Sequence, residues 1–127
     1  MTGPFVIKAT SRINEGQAAA YRPLAQEICR RVEEQEPRIL AFNIWVSEDE
    51  DIEVVLQVHP DAESLEYHLR TLGDLVRQTF EYTDFVSLEV YGPPSDRLRR
   101  MFDEESGDVS VTYYPTHWGG LTRLGTG

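Results

Sequence analysis

Apolar residues recur at every second position in five stretches and at helical spacing in three others, and this alternation lays out the chain. Phe5, Ile7 and Ala9 alternate with Lys8, Thr10 and Arg12, which predicts a strand to Ile13. Asn14-Glu-Gly punctuates it. From about Gln17 to Gln35, Tyr21, Leu24, Ala25, Ile28 and Val32 form the stripe of an amphipathic helix. Pro23 near its first turns predicts a later start or a kink, and Glu36-Pro37 ends it. Two strands, Arg38 to Val46 and Ile52 to His59, flank the acidic turn Ser47-Glu-Asp-Glu-Asp. Asp61 follows Pro60 as a helix N-cap. The second helix carries Leu65, Leu69, Leu72, Val76 and Phe80 on its buried side, with a break or bend expected at Gly73. Asp84 to Tyr91 is the fourth strand.

The order is therefore β-α-β-β-α-β, an α+β, ferredoxin-like arrangement with helices over one face of a four-stranded antiparallel sheet. Residues 5–92 make up that domain. Residues 93–127 form an extension: a short helix from Ser95 to Glu105, a strand from Val109 to Tyr114, and a Gly-rich arm. Trp118 and Leu121 in that arm point to packing on the body or on a second subunit.

Strand parity divides the hairpin. With Val46 opposite Ile52, Leu40, Phe42, Ile44, Val46, Ile52, Val54, Leu56 and Val58 share a wholly apolar face that must meet the helices. The other face carries Asn43, Trp45, Glu53, Val55, Gln57 and His59. With Lys8, Thr10, Arg12, Phe85 and Tyr91 it forms the open side of the sheet. An antiparallel sheet tolerates a solvated face, but Trp45, Phe85 and Tyr91 would leave an apolar patch. A homodimer packed through this face is expected.

Composition narrows the partners. Twelve basic against 22 acidic residues give a net charge of −10, which repels nucleic acid and anionic membrane surfaces. No apolar run spans a bilayer, and Met1-Thr-Gly-Pro lacks the start of a signal peptide. The single cysteine, Cys29, excludes an internal disulfide and reads as packing. A cytoplasmic protein is expected.

Val6-Ile-Lys-Ala-Thr-Ser-Arg before a Gly-containing turn, a long helix ending at Glu36-Pro37, Ile39-Leu-Ala-Phe-Asn-Ile before an acidic hairpin, and Glu63-Ser-Leu-Glu-Tyr-His together carry a resemblance. Over residues 5–92 the chain resembles the dimeric α+β barrel superfamily, and within it the antibiotic biosynthesis monooxygenase-like family. Where the family commonly shows Glu-Ala-Leu-x-x-His, this chain has Glu63, Leu65 and His68, with Ser64 at the Ala position. The sequence departs where the family usually holds Trp at the end of the third strand, here His59, and beyond Pro93. The resemblance implies a homodimer. In the enzymatic members it also implies cofactor-independent oxygenation of a quinol or polyphenol, in which the substrate anion itself reduces oxygen.

His68 is then the candidate base or hydrogen-bond donor, the alternative being a half-buried helix histidine. Asn43, Trp45, Gln57 and His59 are candidates to hold a small aromatic molecule, or to make the dimer interface. Tyr67, next to His68, and Arg12 complete the substrate-binding candidates; Arg12 alternatively pairs with Glu53 or Glu89. His59, His68 and His117 do not form a metal motif. The haem-degrading branch spreads its Asn and Trp over the first and third strands, which Asn43 and Trp45 do not match. Neither metal nor cofactor is expected. Two readings remain: a cofactor-independent monooxygenase acting on an aromatic, quinol or polyketide-like compound, and a non-catalytic dimeric ligand-binding or interaction module of the same fold. A cavity lined by His68 and polar partners favours the first; a core filled by Phe42, Leu56, Leu69 and Leu72 favours the second.

Overall fold

The computed structural model describes residues 3–123, so the last four residues of the expected extension lie outside the described residues. The chain runs β1 (Phe5–Ile13), α1 (Ala18–Gln35), β2 (Ala41–Val46), β3 (Ile52–His59), α2 (Ala62–Thr79), β4 (Thr83–Tyr91), α3 (Asp96–Glu105) and β5 (Ser110–Tyr114). The sheet order is β2-β3-β1-β4-β5. The first four strands pair antiparallel, as the alternation predicts, whereas β5 adds parallel to β4 at the edge. The sheet thus has five strands, not four. A parallel neighbour needs a crossover, and α3 supplies it. Leu98 of α3 is buried with Phe5, Ile7, Leu65 and Val90, so the extension shares the main core. Beyond β5, Trp118 and Leu121 are exposed, so these two side chains do not pack on the body of their own chain.

The helices are longer than their breakers suggest. α1 runs through Pro23 and α2 through Gly73. Pro23 lies in the second turn of α1, so few intrahelical hydrogen bonds precede it. The side chain of Asp61 accepts a hydrogen bond from the Ser64 N–H (3.0 Å), and Ser95 caps α3 in the same way at Leu98 (3.2 Å). Ile28, Val32 and Leu72 join α1 to α2. Phe80, expected on the buried side, sits at the C-cap of α2 and is half exposed.

The hairpin register differs by one residue from the expected pairing. Val46 lies opposite Glu53 and Trp45 opposite Val54. The turn explains the shift. The backbone of Ser47 pairs with Ile52 (2.9 Å), and its hydroxyl accepts from the N–H groups of Asp51 and Ile52. The hairpin therefore closes on Ser47–Ile52. One step of slip moves every β3 side chain to the other face. Glu53, Val55, Gln57 and His59 point under the helices, with Phe42 and Ile44 from β2 and with Ile7, Ala9 and Ser11 from β1. Ile52, Val54, Leu56 and Val58 face the open side. Phe85, expected there too, packs under the helices, next to a bulge in β4 opposite Thr10 and Ser11.

Gly92, after β4, has φ +103° and is buried; its N–H donates to the Tyr114 carbonyl. A Cβ there would lie 3.1 Å from the Phe5 ring. Gly92→Ala should lower unfolding stability by about 1–3 kcal/mol, read from urea denaturation; an unchanged midpoint would contradict this backbone geometry.

Candidate functional site

A cavity of about 510 Å³ lies between the sheet and the helices, within the range of small-molecule sites. Its walls are mainly apolar, including Phe42, Ile44, Val55, Leu69 and Phe85. Nine polar residues line it: Ser11, Tyr21, Glu53, Gln57 and His68, with Arg77 and Thr79 from the end of α2 and Glu105 and Ser106 from the end of α3. The expected core filler Leu56 faces the other side of the sheet, and the interior is not closed.

His68 belongs to the second turn of α2 and is 2% exposed. Its Nδ1 lies 2.6 Å from Oε2 of Glu36, which is equally enclosed. Local sequence places that carboxylate. Glu36 precedes Pro37, which disfavours helical backbone; Glu36 is extended (φ −122°, ψ 90°) and ends α1. A carboxylate accepts only, so Nδ1 carries the hydrogen and Nε2 is left as the basic or donating atom. Nε2 has no hydrogen-bond partner among the described residues. The Phe42 ring, 5.6 Å away centre to centre, flanks the imidazole. Oε1 of Glu36 is buried without a partner, which keeps this carboxylate poorly satisfied and dependent on the histidine.

His59 is a contrast. It is fully buried, with Nδ1 2.7 Å from the Ser64 hydroxyl and Nε2 2.9 Å from Oε1 of Gln57. The glutamine oxygen accepts, so Nε2–H donates to it and Nδ1 accepts from Ser64. Burial first, then the neighbouring His68, pulls its pKa down to about 4. His59 is therefore a neutral, fully bonded strut. It holds Gln57 at the cavity and α2 against β3.

Glu53 and Tyr21 form the third polar group. The Tyr21 hydroxyl donates to Oε2 of Glu53 at 2.5 Å, with both residues buried. Burial raises the Glu53 carboxyl, and the Tyr21 hydrogen bond only partly offsets it. Burial and the Glu53 carboxylate likewise push the Tyr21 phenol up. The arrangement thus places a carboxylate-backed imidazole and a carboxyl group raised by burial in one largely apolar chamber, two titratable groups whose surroundings differ.

The other sequence candidates lie elsewhere. Asn43 and Trp45 are exposed on the open face, Trp45 by 63%, so the structure separates them from Gln57 and His59. Arg12 is also on that face, opposite in direction to Glu53, and it is Lys8 that approaches Glu89, at 3.5 Å. Tyr67 is exposed and donates to the Gln35 carbonyl (3.1 Å) outside the cavity. Sequence reasoning passed over Glu36, Tyr21 and Ser11. A glutamate fixed before Pro37 was the one available signal. Among the described residues no group of three or more His, Cys, Asp or Glu side chains is placed to hold a metal, and no helix is long and apolar enough to cross a membrane.

The pH dependence of folding follows from His59. Folding depresses this base from 6.5 to about 4, so between those values the unfolded chain binds more protons. Stability should be complete above pH 6.5 and fall by on the order of 3 kcal/mol as pH drops through about 4. Urea unfolding at pH 7 and pH 4.5 measures it. The loss should shrink in His59→Gln; equal losses would contradict the assignment.

No protein-family model and no curated protein matches the sequence. Solved structures do match. MupZ from Pseudomonas fluorescens superposes with a TM-score of 0.80 at 19% identity, covering 97% of this chain and 91% of its own. An antibiotic biosynthesis monooxygenase gives 0.60 at 21% identity over 68% of this chain and 94% of its own. A protein of Mycobacterium tuberculosis gives 0.60 at 15% identity over 74% and 98%. The fuller coverage by MupZ takes in α3 and β5. The chain therefore has the ferredoxin-like α+β fold of the antibiotic biosynthesis monooxygenase-like structures.

Proposed function

We propose that the protein is a small cofactor-independent monooxygenase that takes an aromatic, quinol or polyketide-like compound into the cavity. The observation that carries this reading is the buried Glu36–His68 pair with the free Nε2 of its imidazole. A carboxylate on Nδ1 fixes ring and tautomer and stabilises the imidazolium that forms when Nε2 removes a proton, the logic of a carboxylate–histidine pair in acyl-transfer enzymes. Deprotonating a phenol or an activated carbon makes an electron-rich anion, and such an anion reduces oxygen without help from a bound group. The apolar walls around Phe42 and Phe85 suit a flat ring, and Gln57 and Ser11 supply hydrogen bonds to its oxygens. The fold shared with an antibiotic biosynthesis monooxygenase supports the same reading. A module without chemistry would not need a carboxylate buried against an imidazole beside an open chamber, since burying an ionised carboxylate costs several kcal/mol.

Oxygen uptake with a panel of naphthoquinols and anthrols tests the reading. His68→Ala and His68→Gln should each reduce kcat by about 10²–10⁴-fold, with folded far-UV spectra. Full activity in either folded variant removes His68 from the mechanism.

The reading includes a homodimer through the open face. Ile52, Val54, Leu56 and Val58 line that face on β3, with Trp45 beside them on β2 and the stacked Tyr91–Tyr114 pair (5.0 Å) on its far side beyond β1. A second copy would bury this apolar surface. Sedimentation should give a dimer that Val54→Glu converts to monomer; a monomeric wild type would refute it.

A further inference from the structure

We propose that Glu53 is the proton donor of the cavity, recharged from solvent through a second opening on its other side. Glu53, Tyr21 and Ile44 line both the central cavity and a groove of about 490 Å³ between α1 and the β2–β3 hairpin. The groove's lining includes the exposed side chains of Arg22, Gln26 and Glu50, so its outer part is wet. Glu53 therefore stands in a wall with the reaction chamber on one side and solvent on the other. Tyr21 O–H donates to Oε2, so the acid's own hydrogen rests on Oε1. That atom has no hydrogen-bond partner among the described residues, and it is not sealed off from the openings. Tyr21 is thus a positioning residue, one that orients the acid and favours the carboxyl rotamer with its proton free. Burial, which raises the Glu53 carboxyl above the usual carboxylate range, acts in the same direction.

The proposal rests on the oxygenation reading of this cavity and assigns the proton donor of that chemistry. In the overall reaction a methylene beside a phenol and one dioxygen become a carbonyl and one water. Nε2 of His68 takes the first proton from carbon. Oxygen accepts the carbanion's electrons, one at a time, and a C–O bond forms. The peroxide anion receives a proton from Glu53. Loss of the second C–H proton to a discharged His68 then forms the C=O bond, breaks the O–O bond and expels hydroxide, which leaves as water with a further proton from Glu53. Two protons leave carbon through His68 and two reach oxygen through Glu53, so base and acid act on different atoms of the substrate.

Infrared difference spectroscopy on protein with 13C-labelled glutamate tests this. At pH 7 the wild type should show a labelled carboxylic-acid C=O band that shifts when 2-hydroxy-1,4-naphthoquinone binds. Glu53→Gln should abolish the band, and Glu53→Asp should strip it of the isotope shift. Glu53→Gln should also cut kcat for quinol oxygenation by about 10²-fold, with KM little changed. An ionised Glu53 at pH 7, a band indifferent to the bound quinone, or full kcat in Glu53→Gln overturns the proposal. Absence of oxygen uptake by the wild type instead overturns the oxygenation reading alone; the band and its response to the quinone still decide the placement of the proton donor.

Discussion

The register of β3 is the constraint on which the rest of the structure depends. With Ser47 pinned to Ile52 and Trp45 opposite Val54, the strand sends Glu53, Val55, Gln57 and His59 inward. It sends Ile52, Val54, Leu56 and Val58 outward. Because side chains alternate with period 2, no intermediate arrangement exists. One row of a single strand therefore supplies Glu53 and Gln57 to the cavity and His59 behind it, and the other row supplies four aliphatic side chains to the open face. Shifting the strand by one residue would close the chamber with aliphatic side chains and leave three polar groups in solvent.

An inward row of this kind is costly unless each polar group finds a partner. The structure meets that cost group by group. His59 has Ser64 and Gln57, Glu53 has Tyr21, and His68 has Glu36. Tyr21 of α1 and Ser64 of α2 bond to the strand, and Glu36 at the C-cap of α1 bonds to His68 of α2, so these hydrogen bonds tie the helices to the sheet and to each other. The pairs differ in what they leave free. His59 is used on both nitrogens and is structural. His68 and Glu53 each retain one unpartnered atom, and those two are where proton transfer is feasible.

The order of elements was legible from hydrophobic spacing, and the caps at Asp61 and Ser95 from residue type. What spacing could not give was the pairing of the two strands across the turn. Val46 opposite Ile52 produced the more uniform apolar face, and uniformity was the wrong criterion because the sheet has two apolar faces to fill. The Ser47 hydroxyl, which sets the register through the backbone of Asp51 and Ile52, is a turn device without a distinctive sequence signal. His68 was found because a segment pattern singled it out, while its partner Glu36 lies 32 residues away on another element. Tyr21 read as one more core position of α1, and only the fold places its hydroxyl against Glu53. The parallel edge strand β5 read as an extension because its alternation carries no information about its neighbour.

Base chemistry in the cavity requires that Glu36 hold His68 in one tautomer, with Nε2 presented to the substrate. Nitrogen-15 NMR of the imidazole rings measures this directly. At neutral pH His68 should carry its hydrogen on Nδ1, its Nε2 resonance should move when a naphthoquinol analogue binds, and Glu36→Gln should loosen the tautomer preference. A hydrogen on Nε2 with Nδ1 bare, or an Nε2 signal blind to the ligand, would contradict it.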